Sequence, residues 1–250
     1  GIISELRQVL GEFSAQIAED SAEDPADDSV GARPAVVAGS SASFGPSRAE
    51  LSRHAQFHVA LLSLVIRTTT TLPSLLSAAG ALVRSAHPLR CASVAASPAL
   101  RHAVLRALLG ASDNVAVKVP PRATADGADD PVLSGLGTFL AELRRIILGV
   151  LGEYAENSPS RAALAIPALR ASAAALAPPN RRAISSALGA EIRRASHLGA
   201  LIRGAARWAS HDCAEVRVAA LGALGAALSQ DSAGAVDAPT LSAALRATIS

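Results

Sequence analysis

The chain has 250 residues, half of them apolar and only 2% aromatic, and its 23 Lys and Arg against 21 Asp and Glu leave a formal charge of +2. That near-neutrality gives no support, on totals alone, to a nucleic-acid or membrane-surface binder. Abundant alanine with few aromatics excludes a sheet-rich fold and favours closely approaching helices, an all-α chain.

Residues 2–18 set Ile2, Ile3, Leu6, Val9, Leu10, Phe13 and Ile17 at helical spacing and leave Glu5, Arg7, Gln8 and Glu12 for solvent, like the end of a unit already under way. From about 19 to 48 the pattern gives way to clustered carboxylates and then to Gly, Ser, Ala and Pro, which predicts an exposed, mobile loop. The acidic run Glu19 to Asp28 lacks the regular ligand spacing of a calcium loop and reads as a solvated linker.

Helical spacing resumes over 49–67 through Leu51, Ala55, Val59, Leu62 and Ile66, and a second helix is expected at about 73–86, ended by His87-Pro88. Ser97-Pro98, a cap followed by a first-turn proline, opens a third helix at about 98–111. PPRATADGADDP within 119–131 predicts a second long loop. Residues 135–155 carry the broadest stripe, Phe139, Leu140, Leu143, Ile146, Ile147, Val150, Leu151 and Tyr154, wide enough to pack on two neighbours.

Ser158-Pro159 starts the next helix, which should bend at Pro167 and stop at Pro178-Pro179. Residues 181–209 form one long helix or two, with Ile184, Leu188, Ile192, Ala195, Leu198, Ile202 and Ala205 inward. A last helix begins near Thr240 after a loop through Gly234 and Pro239. The order of long helix, turn, helix and proline stop at about 49–88 recurs at about 135–178, an offset that fits two repeating units.

The stretch His211 to Leu228 is the most telling. Asp212 and Glu215 stand at capping-box spacing. Val216, Ala219, Ala220, Ala223, Leu224, Ala227 and Leu228 then share one face that a single helix cannot bury alone. The pattern reads as the second helix of a HEAT repeat. The expected architecture is an α-α superhelix, a HEAT or armadillo-like solenoid of about five helical hairpins with two long loops, occupying 1–250 as one segment. Methionine is absent even from position 1, so the segment is expected to be a fragment of a longer protein, flanked by further repeats of the same chain.

Two stretches, FLAELRRIILGVLGEYAENSPSRAALAIPALRASAAALAPPNRR (Phe139 to Arg182) and ARWASHDCAEVRVAALGALGAALS (Ala206 to Ser229), resemble the conserved region of the HEAT repeat-containing protein 6 family. The resemblance rests on Glu142-Leu143-Arg144, the acidic turn near Glu156, the closing prolines, and Trp208 shortly before Val216-Arg217-Val218. It implies a non-enzymatic helical element that binds proteins, with Asp212, Glu215, Val216 and Arg217 as repeat-structural positions and Asp212 and Arg217 in a ladder of contacts between repeats.

Candidate chemistry is sparse. His54 and His58 share a helix face, but HAQFH lacks the glutamate of a zincin and a third ligand, so both read as surface histidines. Cys91 and Cys213 are too far apart for a ligand pair and fit small buried thiols of a reducing compartment, cytoplasmic or nuclear. Cys213 with His211 reads as packing rather than a catalytic thiol. Gly222 and Gly225 follow no strand and read as close-packing positions of a helix, not as a phosphate loop. No apolar run is long enough for a membrane span, so no membrane insertion is expected.

All the basic residues but Lys118 are arginine, which with so much alanine and glycine reads largely as the imprint of a GC-rich genome. One local concentration stands out: Arg181, Arg182, Arg193, Arg194, Arg203 and Arg207 are opposed between 181 and 207 only by Glu191. They read as a solvated outer face or as candidate partner-binding residues toward an acidic protein surface, a phosphorylated segment or nucleic acid, of which the missing aromatics make single-stranded nucleic acid the weakest. The expected function is a protein-interaction scaffold without cofactor, metal or catalytic residues, its partners other proteins. The alternative is a karyopherin-like transport receptor segment that binds cargo proteins, which a run of many more repeats in the rest of the gene would reveal.

Overall fold

The structure, a computed structural model, describes residues 1–22, 46–118, 131–177 and 185–230, with isolated positions 239, 242 and 246. The described residues form ten α-helices and no strand: α1 (Ile2–Ala22), α2 (Arg48–Thr68), α3 (Leu72–Ser85), α4 (Ala92–Ala96), α5 (Pro98–Lys118), α6 (Pro131–Gly152), α7 (Pro159–Leu176), α8 (Ser185–Arg193), α9 (Ala195–Ala209) and α10 (Ala214–Leu228). The chain is all-helical over these residues, as the composition predicts.

Helix edges differ from expectation in places. Residues 19–22, 48 and 131 belong to helices, which trims both expected loops, and α5 runs on to Lys118. The rest of those loops, the Pro178-Pro179 stop and most of the last expected helix lie outside the described residues. The span from 185 to 209 is two helices, broken at Arg194, whose extended backbone serves as the N-cap of α9.

Local chemistry accounts for several starts. Ser47 caps α2 in a capping box: Glu50 Oε2 accepts from the Ser47 amide at 2.7 Å, while Ser47 Oγ accepts from the Glu50 amide at 3.4 Å. Those hydrogen bonds to Ser47, backbone first, hold the Glu50 carboxyl below its ordinary pKa. Ser158 Oγ accepts from the Arg161 amide ahead of Pro159, and Ser97 Oγ from the Leu100 amide ahead of Pro98. The serine-proline reading therefore holds at both places.

At α10 the expected capping box does not form. His211 Nδ1 accepts from the Cys213 amide at 3.0 Å, and the Arg217 guanidinium donates to the carbonyls of His211 and Asp212 at 2.9 and 2.7 Å. These bonds set the turn so that Cys213 is the N-cap, with no side-chain cap bond. Glu215 turns away to Arg170 of α7, and Arg217 grips its own turn rather than a neighbouring unit. His87 builds a similar turn after α3, its Nδ1 accepting from the Leu89 amide at 3.1 Å.

Two glycine expectations also change. Gly222 and Gly225 are exposed, with no atom near the position a Cβ would take, so they pack against nothing. Close packing falls at other glycines: a Cβ at Gly189 would collide with the Ala175 carbonyl oxygen of α7, one at Gly149 with the Leu89 side chain, and one at Gly204 would crowd Leu151.

Helices contact one another in an ordered way. α2 packs on α1 and α5, α7 on α5, α6, α8 and α10, and α9 on α6, α8 and α10. A second run of contacts links α1 to α3 and α4, α3 to α6, and α6 to α8 and α9. Ser52 meets Ser97 at 2.7 Å and Asn114 Nδ2 donates to the Ile66 carbonyl at 3.0 Å, so α2 and α5 run in the same direction. In both halves of the sequence echo the two helices touch, α2 on α3 and α6 on α7, while α2 packs chiefly on α1 and α5 and α7 chiefly on α10 and α8.

The core is mainly leucine and alanine, with Trp208, Phe13 and Ile146 among its largest members. Trp208 is fully buried, meets the Tyr154 ring edge-on at 5.0 Å, and donates from Nε1 to the Leu151 carbonyl at 2.9 Å. That carbonyl lies in the last turn of α6, where no helical amide follows to take it, so the indole satisfies an orphaned acceptor across the α6/α9 seam.

Candidate functional site

The helices carry a set of arginine, histidine and glutamate ties. Arg101 of α5, with a side chain 5% exposed, reaches Glu153 at 2.6 Å, and Arg161 of α7 closes on the same carboxylate. Burial lowers the Arg101 pKa from its ordinary value. Arg144 of α6 meets Glu191 of α8 at 2.8 Å, Arg170 of α7 meets Glu215 of α10 at 2.9 Å, and His87 Nε2 meets Glu142 of α6 at 2.8 Å. Arg144–Glu191 and Arg170–Glu215 join side chains 47 and 45 residues apart on different helices, the role expected of Asp212 and Arg217.

Between α2, α5, α7 and α10 lies a groove of about 920 Å³. Alanines of three of these helices line part of it: Ala60 of α2, Ala103 of α5, and Ala163, Ala171 and Ala174 of α7. Besides Ser63 and Ser112, the polar side chains at the groove are Arg67 of α2, His102 and Arg106 of α5, Arg170 of α7 and, as carboxylates, Asp113 and Glu215. Arg170 and Glu215 neutralise each other. Arg67 and Arg106 are exposed and make no hydrogen bond or ion pair among the described residues. Pro167 also lines the groove inside α7, and having no N–H it cannot donate to the Ala163 carbonyl one turn back.

The arginines singled out in the sequence lie elsewhere and do not form one cluster. Arg181 and Arg182 fall outside the described residues. Arg193 donates from Nε to the Gly189 carbonyl at 3.1 Å and reaches Gln230 at 3.4 Å, and Arg194 pairs with Glu191 at 3.1 Å. Arg203 and Arg207 sit one turn apart on the exposed side of α9. Val216 is fully buried, Asp212, Glu215 and Arg217 exposed. Nothing in the sequence sets Arg67 apart from Arg48 and Arg53 of α2, or Arg106 apart from Arg101 and Lys118 of α5; only the packing of α2 on α5 brings the two to one groove.

A second cavity of about 1090 Å³ between α3 and α6 holds His87, Cys91 and Glu142. The trio invites comparison with a thiol nucleophile and its base, but both ring nitrogens of His87 are committed. Nδ1 accepts from the Leu89 amide, so Nε2 carries the proton it donates to Glu142, and no nitrogen is left to take a proton from the thiol. His58 is half-buried and faces Glu5 of α1 at 3.7 Å, rather than standing on the surface like His54. Cys91 is half-buried and Cys213 exposed, so the expectation of two buried thiols fails for Cys213. Among the described residues no group of His, Cys, Asp and Glu is placed to hold a metal ion, and no helix is long and apolar enough to cross a membrane.

Comparison with protein-family models, curated proteins and solved structures finds no match to this chain.

Proposed function

We propose that the chain is a segment of a HEAT-type α-solenoid that acts as a non-enzymatic scaffold for other proteins, in the cytoplasm or nucleus. The observation that carries this reading is the pattern of helix contacts. α1, α3, α6 and α9 follow one another as one row and α2, α5, α7 and α10 as a second, each row touching chiefly its neighbours along the chain. Stacking of this kind produces extended surfaces whose side chains are free to engage a partner. The resemblance of 139–182 and 206–229 to the HEAT repeat-containing protein 6 family points the same way.

In this reading four helix pairs among the described residues, α1/α2, α3/α5, α6/α7 and α9/α10, are the repeating units, with α4 and α8 as short additions. The arginine and glutamate ties lock one unit on the next, and the groove across the second row is the binding face. A photo-crosslinking residue in place of Ala171 in the groove should give discrete adducts with other proteins in cells, and the same residue in place of Ser196 on α9 should not. Adducts only from position 196, or from neither position, would sink the assignment of the groove as the binding face.

A further inference from the structure

We infer that the groove takes an extended, carboxylate-rich protein segment. This rests on the scaffold reading above and adds the chemistry of the partner. Most arginines at the helix seams already have a carboxylate: Glu153 for Arg101 and Arg161, Glu191 for Arg144, Glu215 for Arg170. Arg67 and Arg106 stand over the same groove without one, facing a single lining carboxylate that is also without a partner, Asp113. The balance of unpaired charge there is cationic, and a guanidinium fork is built for carboxylate.

The spacing of the two arginines suits an extended chain. Asn114 holds the carbonyl of Ile66, the residue before Arg67, so Arg67 lies level with position 114 of α5. Arg106 lies eight residues earlier on that helix, a separation of about 12 Å at the helical rise. An extended segment covers that distance in about four residues, so acidic side chains about four positions apart would meet both guanidinium groups.

Pro167 denies the Ala163 carbonyl its usual helical donor within the stretch of α7 that lines the groove. Ala60, Ala103, Ala163, Ala171 and Ala174 let the backbone of such a segment come close between the longer side chains of the lining.

The test uses the full chain and a fluorescein-labelled peptide with glutamate at every fourth position and serine between, read by fluorescence anisotropy. Its glutamine counterpart is the control for charge. The acidic peptide should bind, weaken as salt rises, and lose affinity by about tenfold for each of Arg67→Glu and Arg106→Glu. Arg203→Glu and Arg207→Glu on α9, made one at a time, each change the net charge equally and should leave binding intact. Equal binding of the glutamine peptide, no binding of either, or a comparable loss from either α9 reversal would overturn the inference. Circular dichroism of each variant separates lost binding from lost fold. If Ala171 crosslinks to proteins in cells while the acidic peptide fails here, the partner chemistry is wrong and the scaffold reading stands; failure of both removes both.

Discussion

A single indole closes the seam between α6 and α9. Trp208 fills the interior beside Tyr154 and His211 and gives its N–H to the Leu151 carbonyl, which α6 itself cannot satisfy. Trp208→Phe keeps a ring in place but leaves that buried acceptor unpaired, and the expected loss is about 1–3 kcal/mol. A urea unfolding curve followed by circular dichroism measures it; a midpoint equal to the parent would mean that water reaches the carbonyl. Arg101 poses a different problem at the same scale. Its buried guanidinium depends on Glu153, a residue whose importance is invisible in a sequence that places it at an ordinary helix end.

At the scale of helices, glycine position decides whether a methyl group helps or harms. Gly189→Ala drives a carbon into the Ala175 carbonyl oxygen, where backbone cannot yield easily, and should cost about 1–3 kcal/mol. Gly222→Ala meets open space on a helix and should instead stabilise by up to about 1 kcal/mol, since glycine is the more flexible residue in the unfolded chain. Thermal melts of the two variants should therefore move in opposite directions. The contrast also marks what the sequence could and could not disclose. Serine-proline starts and the wide stripe of α6 are local signals, and the structure keeps them. The cap of α10 depends on which amide the His211 ring accepts, a choice made by the fold of the turn. Ala92–Ala96 is too short to carry a periodicity, so α4 went unseen. Arg67 and Arg106 had no local signal, because their common groove exists only after α2 and α5 pack.

Among the described residues the helices touch chiefly those near them in chain order, and in the proposed solenoid damage should therefore stay local. Leu62 is buried in α2, and Leu62→Ala should cost about 2–5 kcal/mol. In a stacked array that loss falls first on α1, α2 and α5, so hydrogen exchange should quicken there while α9 and α10 keep their protection. Uniform quickening along the chain would instead mark one cooperative globule and count against the proposed solenoid. The position of Trp208 makes the opposite end observable by eye of a fluorimeter. As the chain's sole tryptophan it confines indole emission to the α6/α9 junction, so a red shift reports solvent entering that junction, whatever happens around Leu62.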